Sequence, residues 1–143
     1  MGYRTYANSS KASYGYTNAK FRKFFNGIAD FKGKYVPYVP QNTLFVQAMY
    51  TFNFDGFVKS LTMEANIRGT GRIYWNEANS IDQPFYMTAG ASVTLDTKYV
   101  TLELWGRNLT GTRYDTFYFM SMGNEFVQRG RPRQFGVTLR FTI

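Results

Sequence analysis

Glu64 and Glu103 are the residues from which a hydrolytic site would have to start, because glycoside-type hydrolysis needs two carboxyl groups a few ångströms apart. Nothing in their spacing brings them together and no further catalytic signature accompanies them. They read as hydrogen-bonding or ion-pairing groups. Arg129, Arg131 and Arg133 would suit an anionic ligand through bidentate hydrogen bonds, or equally a solvated loop. Lys20, Arg22 and Lys23 interleave with Phe21, Phe24 and Phe25, a mixture that serves single-stranded nucleic acid through phosphate contacts and base stacking. No RNA-binding fingerprint accompanies it. The same mixture fits a strand end at a membrane interface, beside the phosphates of lipopolysaccharide. The sequence holds no Cys and no His. Disulfides, thiol chemistry, Cys/His zinc sites and imidazole acid–base catalysis are thereby excluded from these residues. No catalytic, cofactor-binding or metal-binding residue is assigned, and the ligand-binding residues stay unknown.

Two short patterns have plain explanations. Asn8-Ser9-Ser10 and Asn108-Leu109-Thr110 match the glycosylation sequon, which recurs by chance. Gly69-Thr70-Gly71 lacks the helix that a phosphate loop requires and reads as backbone relief within a curved strand.

The elements that carry these residues alternate with period two, and helical periodicity is nearly absent. Along residues 43–54 the even positions are Leu44, Val46, Ala48, Tyr50, Phe52 and Phe54, against a more polar odd set. From Leu61 the apolar set moves to odd positions, with Met63, Ala65 and Ile67 opposite Thr62, Glu64, Asn66 and Arg68. Phe85, Met87, Ala89, Ala91, Val93 and Leu95 form the next face, followed by Val100, Leu102 and Leu104. The last runs Phe135, Val137, Leu139, Phe141 and Ile143. An earlier strand over about residues 12–25 carries Tyr14 and Tyr16 on one face. Because neighbouring antiparallel strands share faces, Leu44, Val46, Tyr50 and Phe52 should lie with Leu61, Met63 and Ile67. Residues 135–143 should pair antiparallel with residues 99–108.

About six strands result, several of them longer than the usual five or six residues. Asp55-Gly56 and Asp96-Thr97-Lys98 read as tight turns, whereas residues 26–42, 75–84 and 121–132 are long links. Short turns at one end and long loops at the other is the asymmetry of outer-membrane barrels. Of the 143 residues 44% are apolar and 20% aromatic, and the formal net charge is +8. Many rings suit sheets and membrane interfaces. A basic balance suits anionic lipid, nucleic acid or acidic ligands. No stretch approaches the 18 or so apolar residues of a transmembrane helix. The first residues lack the apolar core of a signal peptide. Alternation alone fits a soluble barrel with its apolar face inside as well as a membrane barrel with that face outside.

The last third carries a resemblance. Asn108-Leu109-Thr110-Gly111-Thr112-Arg113-Tyr114 resembles the Asn-Leu-Thr/Phe…Tyr segment near the end of TonB-dependent receptors. Gln128-Arg129-Gly130-Arg131-Pro132-Arg133-Gln134-Phe135 is similar to that family's Gly-x-Pro-Arg-x-(Phe/Tyr) element. The closing Gly136-Val137-Thr138-Leu139-Arg140-Phe141-Thr142-Ile143 resembles its terminal strand, ending in Ile143 where the family usually has Phe. Upstream, Tyr14-Gly15-Tyr16-Thr17-Asn18-Ala19-Lys20-Phe21 and Tyr35-Val36-Pro37-Tyr38-Val39-Pro40-Gln41-Asn42-Thr43 resemble the family too, so the likeness runs from about Ser13 onward.

The resemblance implies an all-β fold, an antiparallel meander of about six long strands forming part of a transmembrane barrel. Residues 1–143 would be a C-terminal portion of a barrel of about twenty-two strands, without the plug domain. The implied function is outer-membrane uptake of a nutrient such as a ferric chelate, cobalamin or glycan. This stretch would supply barrel wall and outer loops, with no chemical step and no cofactor. Its implied partners are outer-membrane lipid and lipopolysaccharide, and the assembly machinery through Phe135, Val137, Leu139, Phe141 and Ile143. TonB would be reached only through an N-terminal part that this sequence does not carry, and no nucleic acid is expected. Two other readings stand beside it: a self-contained small β-barrel, in the outer membrane or soluble and lipid-binding, and a basic nucleic-acid-binding β-domain.

Overall fold

The computed structural model describes residues 3–25 and 27–142. Among the described residues are ten strands: β1 (Tyr3–Tyr16), β2 (Asn42–Phe54), β3 (Val58–Thr70), β4 (Ile73–Tyr74), β5 (Asp82–Gln83), β6 (Tyr86–Thr97), β7 (Val100–Arg107), β8 (Asp115–Ser121), β9 (Asn124–Arg129) and β10 (Gln134–Phe141). Six of them form one antiparallel sheet in the order β1-β2-β3-β6-β7-β10, and β4-β5 and β8-β9 are hairpins within the long links. Every neighbour in the main sheet is thus the next long strand along the chain. The fold is all-β, as its alternation requires. No helix among the described residues is long and apolar enough to cross a membrane.

Register follows the hydrophobic pattern. Val46 pairs with Ile67, Tyr50 with Met63 and Phe52 with Leu61, so the expected shared face is formed. The row continues through Met63↔Val93, Val93↔Leu104 and Leu104↔Val137. The last described strand lies against β7 from Gln134↔Arg107 to Phe141↔Val100, as expected; Ile143 lies outside the described residues. The polar face is built by the same pairings, for example Gln47↔Asn66, Asn66↔Gly90 and Thr94↔Glu103.

Sidedness is decided by exposure. The apolar row Met63, Val93, Leu104 and Val137 is 42%, 41%, 50% and 64% exposed, whereas Glu64, Asn66, Ser92 and Glu103 on the opposite face are half-buried. A soluble sheet has the reverse arrangement, because water rewards polar side chains and expels apolar ones. The sheet curls around its polar face. That order is inside out relative to a soluble sheet.

Aromatic side chains mark both ends of the outward face. Tyr14, Tyr16 and Phe85 are exposed near the long-loop end, and Phe57, Tyr99 and Phe141 at the turn end. Tyr14 lies opposite Leu44, and Phe52 stands eight residues further along β2. Eight residues span about 27 Å of strand, which a tilt of about 40° reduces to roughly 21 Å, close to the height of a lipid-facing band.

Three boundaries depart from expectation. The first strand is Tyr3–Tyr16 and not residues 12–25; Phe21, Phe24 and Phe25 belong to the loop after it. The link expected at 121–132 is largely hairpin, β8 and β9 joined at Met122-Gly123, both with positive φ (51° and 77°). That is the turn whose twist matches an antiparallel pair. The link expected at 75–84 holds β5, with β4 just before it. The turns at Asp55-Gly56 and after Thr97 are tight as expected, the second closed by Thr97 Oγ1, which donates to Val100 O at 2.6 Å and accepts from Val100 N.

Outward apolar rows and two open edges, β1 and β10 among the described strands, leave the 143-residue chain without cover in water. The chain alone should therefore aggregate in plain buffer or require detergent. Sedimentation and hydrophobic-dye binding check this, and a compact, dye-silent monomer would mean that the apolar face is covered after all.

Candidate functional site

The inward face of β3, β6, β7 and β10 encloses a polar concavity of about 800 Å³, lined in part by Glu64, Asn66, Ser92, Glu103, Trp105, Arg107 and Arg131. Alternation puts the strand residues among them there, since each is one residue out of step with the outward apolar set, and Arg131 reaches the concavity from the loop before β10. Gln47 Nε2 donates to Glu64 Oε1 at 2.7 Å, and Asn66 Nδ2 reaches the same oxygen at 3.4 Å. Thr51 and Thr62 hydroxyls meet at 3.1 Å across the pair, and Thr101 Oγ1 donates to Asp96 Oδ1 at 2.8 Å. The Arg107 guanidinium lies 4.9 Å from the Trp105 ring centroid, and Arg68 lies 5.1 Å from that of Phe45. Trp105 lies flat against β10, its Nε1 donating to Thr138 Oγ1 at 3.3 Å. A Cβ at Gly136 would fall inside the indole, so the bare glycine is what lets the ring lie down.

Glu64 and Glu103 both line this concavity, with β6 between their strands. Two interstrand spacings put the strands about 10 Å apart, so the carboxyls serve as separate polar groups. Among the described residues no three His, Cys, Asp or Glu side chains converge on a possible metal position. What the inward face shows is hydrogen bonding and the stacking of guanidinium groups on aromatic rings.

The loop end is where side chains pack most tightly. Trp75 and Tyr118 are buried, as are Gln83 and Asn108, and all four lie outside the six-stranded sheet. Tyr38, held at a positive φ of 64°, is the hub. Its ring lies 5.5 Å from Trp75 and 5.5 Å from Phe117, its hydroxyl donates to Tyr118 O at 2.9 Å, and its N–H donates to Tyr74 O at 2.9 Å. Asn79 clamps Tyr35 from both sides, Oδ1 accepting from Tyr35 N at 2.6 Å and Nδ2 donating to Tyr35 O at 2.9 Å. Gln83 Oε1 accepts from Asp115 N at 2.8 Å. Three long links are thereby joined into one cap. Burial raises the Tyr118 hydroxyl pKa above the usual phenol range, and the nearby Glu125 carboxylate raises it further. The Arg72 guanidinium, 3.0 Å from Asp82, is also raised, first by the Tyr74 hydroxyl and then by that carboxylate.

Asn108 explains why the first quoted segment has its form. Its Nδ2 donates to Thr112 O at 2.9 Å and Arg131 O at 3.0 Å, while Oδ1 accepts from Thr112 N at 3.0 Å and from Thr110 Oγ1 at 3.3 Å. Leu109 N and Thr112 Oγ1 donate to Ala89 O and Met87 O, carrying the turn across the end of β6. Tyr114 stacks on Tyr86 with centroids 4.3 Å apart and lies over Gly130, where a Cβ would overlap the ring. The two quoted segments, distant in sequence, are therefore one lock that seats β10 beside β7.

Other sequence candidates fall apart in space or gain plain roles. Arg129 ends β9, Arg131 lines the concavity and Arg133 lies against Gly111, so the three form no common anion clamp. Lys20, Arg22 and Lys23 stand on an exposed loop hairpin in which Phe21 stacks on Phe24 at 4.8 Å. Asn8-Ser9-Ser10 lies within β1, and the Asn108 amide is fully occupied. At Gly69 a Cβ would meet the Phe85 ring at 2.8 Å, and at Gly71 it would overlap Asn42, which makes both glycines points of close approach. Phe135, Val137, Leu139 and Phe141 all point outward. The sequence reading missed Tyr38, Trp75 and Gln83. The β8-β9 hairpin left one local signal, the apolar run Phe117 to Met120 followed by Gly123, the glycine that takes the positive φ of its turn.

No protein-family profile matches the sequence. Among solved structures, the fold matches the ferric yersiniabactin uptake receptor FyuA from Yersinia pestis, with a TM-score of 0.70 and 21% identity. The match covers 83% of this chain and 19% of that one, so the chain spans about a fifth of the receptor's length. What the two share is the fold.

Asn108→Ala leaves the Arg131 and Thr112 carbonyls and the Thr112 N–H without their partner. It should cost about 1–3 kcal/mol and raise hydrogen exchange at 110–114 and 130–134 in the detergent-folded chain. A change below about 0.5 kcal/mol would mean that the lock contributes little.

Proposed function

We propose that residues 1–143 form a C-terminal portion of the barrel of a TonB-dependent outer-membrane receptor, supplying wall strands and outer loops for nutrient uptake. The observation that carries this reading is the outward apolar face of the six-stranded sheet, with a hydrogen-bonded polar face on its concave side. Support also comes from the lock between the Asn108–Tyr114 and Gly130–Arg133 stretches, which gives the family-like segments a structural reason. Of the nutrient classes, a ferric chelate comes first, since the solved receptor that shares the fold takes up ferric yersiniabactin. Cobalamin and glycans follow.

In this reading the chain binds, orients and encloses, and no bond of the nutrient is made or broken by it. The polar face offers Glu64, Glu103, Arg107 and Arg131 to whatever fills the lumen, and fixed donors and acceptors there require no hydration to be rebuilt. Phe135, Val137, Leu139 and Phe141 on β10 suit strand-pairing recognition by the assembly machinery, because their row is outward and one edge of the strand has no neighbour among the described strands.

Density fractionation of the producing cell, followed with an antibody against the loops, should find the chain in the outer membrane with heat-modifiable gel mobility. Deleting the gene should abolish uptake of one labelled nutrient among a ferric chelate, cobalamin and an oligosaccharide. Recovery in the soluble fraction would contradict the membrane assignment, and unchanged uptake of all three would contradict the receptor role.

A further inference from the structure

The outward apolar row breaks at the first strand. Met63↔Val93, Val93↔Leu104 and Leu104↔Val137 carry it across four strands, and Tyr50↔Met63 extends it to β2. On β1 the next member of the row is Asn8, opposite Tyr50. Ser10 follows on the same face, opposite Ala48. Among the described residues neither of these two side chains has a hydrogen-bond partner.

Their depth is what makes them unusual. Ala48 stands midway along β2 between Leu44, which lies opposite the rim residue Tyr14, and Phe52 near the turn end. Ser10 is therefore at the middle of the outward band, and Asn8 lies just beyond it toward the turn end. A carboxamide and a hydroxyl at that depth reach neither headgroup layer, and hydrocarbon offers them no hydrogen bond. A further strand pairing with the edge of β1 would complete its ladder, yet it would lie beside β1 and leave both side chains facing out. Cover has to come from across the face.

A second copy of the chain supplies that cover. Two copies inserted in the same direction are related by a two-fold axis along the membrane normal, which sets equal depths opposite each other. Asn8 then meets its own counterpart, as does Ser10. An amide both donates and accepts, so two of them satisfy one another, and two hydroxyls do the same. Wall strands tilt by about 40°, so the strands of the two copies cross and touch at a single depth. Ser10, Ala48 and Ala65 stand in register there, and side chains this short let the two backbones come close.

We infer that the outward face of β1 around Asn8 and Ser10 is where two copies of this chain meet within the membrane, joined by amide and hydroxyl hydrogen bonds across a two-fold axis. This rests on the barrel-wall reading proposed above and adds a self-association that the reading does not itself require.

The chain has no Cys, so single cysteines report the contact directly. In the full chain folded into phosphatidylcholine vesicles, a bismaleimide spanning about 10 Å, the separation of facing sheets, should join Ser10→Cys chains in pairs and Ala48→Cys chains likewise. Lys11→Cys, which shares the concave face with Gln47, should give no such product. Energy transfer between labelled chains, followed as lipid is added, should show Asn8→Ala with Ser10→Ala weakening self-association about tenfold, the worth of a polar contact in a membrane. Entry of that variant into the vesicles should be undiminished, because two polar groups have left the outward face. A Ser10→Cys product without an Ala48→Cys product overturns the contact, since copies paired edge to edge would hold their β2 strands about 14 Å apart. Unchanged self-association of the double variant overturns it too, as does an intact chain that enters the vesicles and stays monomeric at every lipid ratio. An intact chain that fails to enter at all overturns the barrel-wall reading, and the contact with it.

Discussion

Cross-strand register in the six-stranded sheet is the constraint from which the other properties follow. Side chains alternate with period two, so a slip of one residue at any pair would exchange the two faces of every strand beyond it. The pairs Val46↔Ile67, Met63↔Val93 and Leu104↔Val137 keep one face apolar across the sheet. The same register puts Glu64, Asn66, Ser92 and Glu103 on the concave side. Backbone groups are satisfied within the ladder, the condition for a strand to lie in hydrocarbon. Only the two edges of the sheet lack neighbours among the described strands.

A sheet with its apolar side chains outside and its polar groups on the concave side has no dry interior to hold it together. Its most buried side chains lie instead at the loop end, where Trp75, Tyr118, Gln83 and Asn108 pack outside the sheet. Tyr38 links the first and second long links to the third through two ring contacts and one hydroxyl hydrogen bond. Asn108 does similar work at the last crossing, satisfying the turn it begins and reaching the Arg131 carbonyl. Aromatic rings suit this cap because each buries a large area at the cost of two torsions and still offers a polar tip. Outer loops built in this way are held to the wall by backbone-directed bonds, while their outermost residues, such as Met122 at the β8-β9 tip, stay fully exposed.

The sheet was legible because alternation over eight to thirteen residues leaves few other solutions, and because Asp55-Gly56 and the Thr97 turn fix the hairpins on either side of β3 and β6. Sidedness was not legible from alternation, since the same pattern serves water and lipid; in the folded sheet the apolar row is the more exposed one. β1 was misplaced because Asn8, Ser9, Ser10 and Lys11 show no apolar rhythm, and an edge strand needs little of it when a long partner supplies the ladder. Phe21, Phe24 and Phe25 imitated a strand continuation, yet two of them stack within the loop hairpin. The cap was illegible for a different reason. Tyr38, Asn79 and Asn108 act through positive φ and backbone-directed hydrogen bonds across many residues, features that no local pattern encodes.

The claim on which everything else depends is that the apolar face meets lipid. Because the chain has no Cys, single cysteines can be placed one at a time and labelled with an environment-sensitive probe after folding into lipid vesicles. Probes at Val46, Met63, Val93, Leu104 and Val137 should be quenched by brominated acyl chains and shielded from a water-soluble quencher. Those at Gln47, Glu64, Ser92, Glu103 and Thr138 should show the opposite, giving a period-two alternation on every strand. Uniform quenching along the strands, or alternation of the opposite phase, would contradict the account.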